Sequence, residues 1–131
     1  MSSTTVPTLP LRPDEAIPQL GFGVFQVPPE DTPEVTLRAF QAGYRHIDTA
    51  SGYNNEAGVG QAFHSSGLER EDVFITTKCG NSDHGHERAR HAFKESLNRL
   101  ELQYVDLYLI HWPIPAKDKY VDTWKAFIEL Q

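Results

Sequence analysis

Three apolar runs in this chain end on an ionisable side chain: Ile47-Asp48, Thr77-Lys78 and Ile110-His111, with Tyr53 five residues beyond Asp48. Singly, each has an ordinary structural explanation. An Asp after a strand caps the next helix, a Lys there is solvated, a lone His is a satisfied structural residue, and a loop Tyr packs. Together, at the ends of successive strands, they make a complementary set of carboxylate, ammonium, phenol and imidazole, types that transfer protons and stabilise charge.

Two other chemistries compete for these residues. Lys78 as a Schiff-base nucleophile would need an apolar site that strips its proton, and Asp48 opposes that by keeping it charged. The segment Asp83-His84-Gly85-His86 contains a His-x-His pair of the kind barrel metal hydrolases use. It follows the polar Asn81-Ser82-Asp83 and precedes a helix, so a helix-capping loop is expected and no metal site. Cys79 adjoins Lys78, but strand alternation turns it to the opposite face as a buried structural thiol.

The elements that must position these groups alternate regularly. Thr8–Leu11 and Ala16–Leu20 flank the turn-forming Arg12-Pro13-Asp14-Glu15 and predict a hairpin. A strand-like run with two glycines follows, Leu20 to Phe25. Asp31 as N-cap, Pro33 in the first turn and Gly43 past the end bracket a helix. Then come a strand (Tyr44–Asp48), a helix (Glu56–Phe63, closed by Gly67), a strand (Val73–Lys78) and a helix (Glu87–Leu100) with Ala89, Phe93, Leu97 and Leu100 at helical spacing. A last strand, Val105–His111, precedes a helix from Tyr120 that sets Trp124, Phe127 and Ile128 on one face and within which the chain stops. Alternation of this kind builds a parallel sheet. Four βα units fit an open doubly wound sheet or a (β/α)8 barrel, and a barrel needs roughly 250 residues, so on that reading about half is present.

Bulk composition narrows the partners. The 131 residues include 12 basic and 18 acidic side chains, a net charge of -6 without a basic patch, which argues against nucleic acid and anionic membranes. No stretch approaches ~20 apolar residues, and Met1–Pro10 lacks the charged and apolar regions of a signal peptide. With a single cysteine, the expectation is a cytoplasmic protein.

Five stretches in order carry a family resemblance: Leu20-Gly21-Phe22-Gly23-Val24-Phe25; Gly43-Tyr44-Arg45-His46-Ile47-Asp48-Thr49-Ala50; Tyr53-Asn54-Asn55-Glu56-Ala57-Gly58-Val59-Gly60; Thr76-Thr77-Lys78; and Asp106-Leu107-Tyr108-Leu109-Ile110-His111-Trp112-Pro113. From Leu20 to its end the chain resembles the aldo-keto reductases, and within them the bacterial branch that includes the diketogluconate reductases. The resemblance implies a (β/α)8 TIM barrel of which residues 20–131 form the N-terminal half, with residues 1–19 as a tail and hairpin cap. It implies NADPH as hydride donor, a small-molecule aldehyde or ketone as substrate, and Asp48, Tyr53, Lys78 and His111 as the catalytic tetrad. Gly23, Val24, Phe25 and Asp48 are then expected along the cofactor, and Phe25, His111 and Trp112 along the substrate.

The chemistry suits those implied roles. Hydride arriving at a carbonyl carbon builds charge on its oxygen, which needs a proton and hydrogen bonds. Tyr53 is the expected donor. A free phenol, with a pKa of about 10, is a weak acid near neutrality, and an adjacent ammonium strengthens it. Lys78 is expected to be that ammonium, with Asp48 orienting Lys78 and His111 directing the carbonyl oxygen. One departure concerns specificity: Cys79-Gly80-Asn81 stands where the branch typically has an apolar residue and a tryptophan before asparagine, which implies a wider pocket. The alternative outcome is a half-barrel without catalysis, whose open sheet edges favour self-association.

Overall fold

The computed structural model describes residues 5–131; the first four residues of the expected tail lie outside them. Strands β1 (Thr8–Arg12) and β2 (Glu15–Pro18) form the antiparallel hairpin, with Thr8 opposite Pro18 and a register shift between Pro10 and Arg12. Four strands make a separate parallel sheet in chain order: β3 (Phe22–Gly23), β4 (His46–Asp48), β5 (Phe74–Cys79) and β6 (Leu107–Ile110). Helices α1 (Thr32–Gln41), α2 (Glu56–Ser65), α3 (His86–Leu100) and α4 (Tyr120–Leu130) follow β3 to β6 in turn.

β3, β4 and β6 are shorter than the apolar runs suggested, while β5 keeps its expected length one residue further on. β4 starts at His46 rather than Tyr44 because the Tyr44 amide donates to the Ala39 carbonyl, which holds it in the exit from α1. β3 keeps two residues of the Leu20–Phe25 run. Val24 adds one more bond, its amide donating to Asp48, and then turns, with the Val27 amide donating back to the Val24 carbonyl.

α1 begins after Asp31 with Pro33 in its first turn, and Gly43 adopts φ 107° at the exit, a conformation that disfavours any Cβ. The Asp31 side chain makes no capping bond; the Thr32 hydroxyl donates to the Pro28 carbonyl at 2.8 Å at this end of the helix. In α4 the expected apolar face is split. Thr123, Ala126 and Phe127 are buried, while Trp124 and Ile128 are 56% and 57% exposed, since successive helical residues turn by about 100° and only part of that stripe meets β6 and α3.

Alternation along β5 sorts side chains into two layers. Ile75 joins Val24, Phe40, Ile47, Val59 and Leu100 in the larger core, and Cys79 packs with Ala89, Ala126 and Phe127 in the smaller one. Thr76 and Lys78 point the other way, towards His46 and Asp48 of β4. The hairpin lies at the opposite end of the strands, with the Pro18 backbone beside His46 at the start of β4.

Candidate active site

Asp48 and Lys78 end or nearly end adjacent parallel strands, and His111 directly follows β6. Register does the rest: β4 pairs Asp48 with Thr76, and β5 pairs Lys78 with Leu109, so three side chains emerge at one rim. Tyr53 closes a 3-10 turn, Ser51–Tyr53, anchored by the Tyr53 amide on the Ala50 carbonyl and by the Ser51 hydroxyl on the Lys78 carbonyl at 3.2 Å.

Lys78 Nζ is the hub. It donates to both oxygens of Asp48 at 2.9 Å, to the Thr49 carbonyl at 3.0 Å and to Tyr53 Oη at 3.3 Å. An ammonium has three protons, and these three partners use them all. The phenol oxygen accepts from Lys78, so its own proton is free to point away from the lysine. The His111 ring stands edge-on to Tyr53 with centroids 5.6 Å apart, and Phe25 lies against the other side at 5.1 Å. Burial lowers the pKa of His111, and the Lys78 charge lowers it further against the opposing pull of Asp48. The ring is therefore neutral near pH 7, with one N–H to donate and one nitrogen to accept.

An open pocket of about 470 Å³ lies over this group, lined by Phe25, Gly52, Tyr53, Gly80, Asn81, His111 and Trp112. Trp112 is exposed and stacks nearly parallel to His111, 8° between planes. Gly80 backs the pocket. A Cβ there would meet Asp83 Oδ2 at 3.0 Å and Ser51 Oγ at 3.1 Å, so the wall stays thin where the sequence suggested extra width.

The expected cofactor-side residues differ in what they offer. Gly23 is exposed beside Asp48, with open space where a Cβ would be. Val24 is fully buried in the core, its amide and carbonyl are both hydrogen-bonded, and it offers only a packed backbone. Cys79 is fully buried on the helix side of β5 and its thiol is pushed up to about 11 by desolvation, which leaves it an inert packing group. The two histidines of the His-x-His diverge in role: His84 is buried, whereas both His86 nitrogens contact carboxylates, Glu87 and Glu129, at 2.9 Å. Among the described residues no three His, Cys, Asp or Glu side chains converge on a metal-sized site.

Sequence reasoning missed the layer behind the tetrad. Asn55 accepts from the Thr49 hydroxyl and donates to the Val24 and Val27 carbonyls. Glu56, 1% exposed, accepts from Thr77 Oγ1 at 2.6 Å and from Arg99 Nε at 2.8 Å, tying α2, β5 and α3 together. The signal was present in Asn55-Glu56, two polar residues heading an apolar helix, but nothing in their types or spacing pointed to these partners.

A rim of this kind on four successive βα units matches a known protein family. The aldo/keto reductase family profile fits residues 19–131. The chain belongs to the aldo/keto reductase family. The methylglyoxal reductase DkgA of Escherichia coli K12 is 48% identical over all 131 residues, which cover 46% of that protein. A crystal structure of an aldo/keto reductase from Brucella melitensis superposes with a TM-score of 0.93 at 52% identity, over 99% of this chain and 49% of that one. A Bombyx mori aldo-keto reductase crystallised with NADP gives a TM-score of 0.85 at 34% identity, over 96% and 47%. The aldo/keto reductase chain described here thus spans about half the length of the relatives it matches, and it forms the first four βα units of a (β/α)8 barrel.

Proposed function

We propose that this chain carries the catalytic tetrad of an NADPH-dependent reductase of aldehydes or ketones, with Tyr53 as proton donor, Lys78 and Asp48 as its electrostatic support and His111 as the group that orients the carbonyl oxygen. The observation that carries the reading is the saturated ammonium of Lys78. Asp48 and the Thr49 carbonyl fix it, and its third proton points at Tyr53 Oη. Proton donation leaves a phenolate, and a fixed cation 3.3 Å away stabilises that charge without reorganising.

The residues present fit the cofactor. Gly23 leaves open space beside Asp48, and Phe25 is exposed next to Tyr53, so a flat ring has room at the mouth of β3 and a ribose hydroxyl has a carboxylate in reach. NADPH, when bound, supplies the hydride. His111, neutral, donates one N–H to the carbonyl oxygen and turns it towards Tyr53, while Phe25 and Trp112 exclude water from the sides of the pocket. Residues 20–131 are the barrel portion and residues 1–19 a tail and hairpin cap, in a cytoplasmic protein; among the described residues no helix is long and apolar enough to cross a membrane.

The test is Tyr53→Phe, measured by NADPH oxidation with methylglyoxal, the compound named for a relative. General-acid loss predicts a fall in kcat of ~10²–10⁴ with little change in NADPH affinity. A variant turning over at the parental rate would sink the assignment. A second reading has one observation in its favour: Val121, Trp124 and Ile128 of α4 are all more than half exposed, an apolar surface suited to association. Light scattering of the purified chain decides whether it self-associates.

A further inference from the structure

We infer that Asn55 is a positioning residue that sets two parts of the site at once, the ammonium of Lys78 through Thr49 and the aromatic wall at Phe25 through the turn that carries it. This rests on the reduction proposed above for its kinetic consequences, though its structural half stands independently.

Asn55 occupies the N-cap position of α2, where an asparagine side chain ordinarily accepts from an amide of the first turn. It makes no such bond. The carboxamide reaches across the chain instead. Oδ1 accepts from Thr49 Oγ1 at 2.8 Å, and Nδ2 donates to the Val24 carbonyl at 2.9 Å and the Val27 carbonyl at 3.2 Å. Both amide protons and one acceptor site are used, in a side chain 1% exposed. The flipped amide would set an oxygen against two carbonyls, so the network admits one orientation.

Each end of this bridge touches the site. Thr49 is fully buried, and its carbonyl holds Lys78 Nζ at 3.0 Å. Its amide is fixed on the Thr76 carbonyl at 2.9 Å, and the Asn55 bond fixes its side-chain hydroxyl. On the other arm, the turn from Val24 to Val27 contains Gln26 at φ 66°, a left-handed conformation costly for a residue with a Cβ. Such a conformation persists where the surroundings over-determine it, and the two Asn55 bonds grip the carbonyls on either side of Gln26. Phe25, within that turn, packs on Tyr53 at 5.1 Å. A residue that only stabilised the fold would have no reason to join these two arms; a residue that sets the distance between phenol, ammonium and aromatic wall would.

The two arms predict separable kinetics. Thr49→Val removes the hydroxyl donor alone and should lower kcat while leaving KM for the carbonyl compound unchanged. Asn55→Ala releases both arms and should lower kcat by ~10²-fold, the effect of misplacing a reacting group by about 1 Å, and raise KM as well. Phe127→Leu, in the separate smaller core, is the control for lost stability and should change neither constant. A readout needing no turnover is the ring-to-ring nuclear Overhauser effect between Phe25 and Tyr53 in the 131-residue chain. It should vanish in Asn55→Ala and survive in Thr49→Val and Phe127→Leu. An Asn55→Ala protein that keeps this contact, or whose kinetic losses match those of the Phe127→Leu control, overturns the inference. If the parent reduces no carbonyl compound at all, the proposed function fails, and the ring contact alone then decides the role of Asn55.

Discussion

Replacing Lys78 by Met tests whether the ammonium beside Tyr53 is electrostatic machinery or structural glue. Met keeps the length and apolar stem of lysine and removes only the charge and its donors. With Nζ 3.3 Å from Tyr53 Oη, the attraction between the ammonium and a phenolate is about 5 kcal/mol at an effective dielectric of ~20, suited to a partly buried pair. That energy exists only once the phenol has lost its proton, so it acts on the transition state and not on substrate binding. At 1.36 kcal/mol per decade, kcat should fall by roughly 10³–10⁴ with KM nearly unchanged. The folded state also loses the Asp48 pair, but the Asp48 side chain is 35% exposed and regains water, so the stability cost stays near 1 kcal/mol once solvent screening is allowed for. Turnover measured by NADPH oxidation, alongside urea denaturation, separates the two effects. A tenfold or smaller loss of kcat would refute the reasoning, as would a loss explained by unfolded protein.

Three further outcomes follow from other parts of the molecule. Gly60→Ala should destabilise by ~1–3 kcal/mol in urea: helix propensity alone would favour Ala by about 1 kcal/mol, but the new Cβ would fall on the Leu100 carbonyl where α2 crosses the end of α3. Stability should fall as pH drops below about 6.5, because burial lowers the pKa of His46, His84 and His111, so the unfolded chain takes up their protons first. The loss levels off below their folded pKa values; part-exposed His86, raised by Glu129 and Glu87, opposes it weakly, and a stability that rises on acidification would contradict the assignment. Isothermal titration of the purified 131-residue chain should show NADPH binding weaker than micromolar, since the proposed placement gives Gly23, Phe25 and Asp48 only the nicotinamide end; micromolar affinity would show that these residues suffice.

The rim was legible because parallel sheets make it so. An apolar run closed by Asp, Lys or His announces both a strand end and the face it presents, and register among β4, β5 and β6 then brings Asp48, Lys78 and His111 together without further information. Tyr53 was legible through its place in a family motif rather than through periodicity. Strand lengths were less so, since hydrophobicity extends into residues such as Tyr44 that a neighbouring helix end captures. Burial on α4 was not legible for a related reason: helical spacing shows that Trp124, Phe127 and Ile128 share a side, not how much of that side this sheet covers.

What sequence patterns hid most completely is the second layer, and the cause is physical. Capping residues are recognised by local rules, whereas Asn55 and Glu56, apart from the short-range Asn55–Thr49 bond, spend their side chains on partners more than twenty residues away, Val24 and Thr77 among them. Such bonds become possible only after β3, β4 and β5 are side by side, so no local window contains both ends. Yet these bonds decide whether the rim is a catalyst or merely a cluster of charges. Lys78 can point at Tyr53 because Thr49 is fixed beneath it, and Thr49 is fixed because α2 gives up a cap to hold it. The tetrad is readable from residue types at strand ends, but its geometry belongs to polar residues that look, in sequence, as though they belong to the helix.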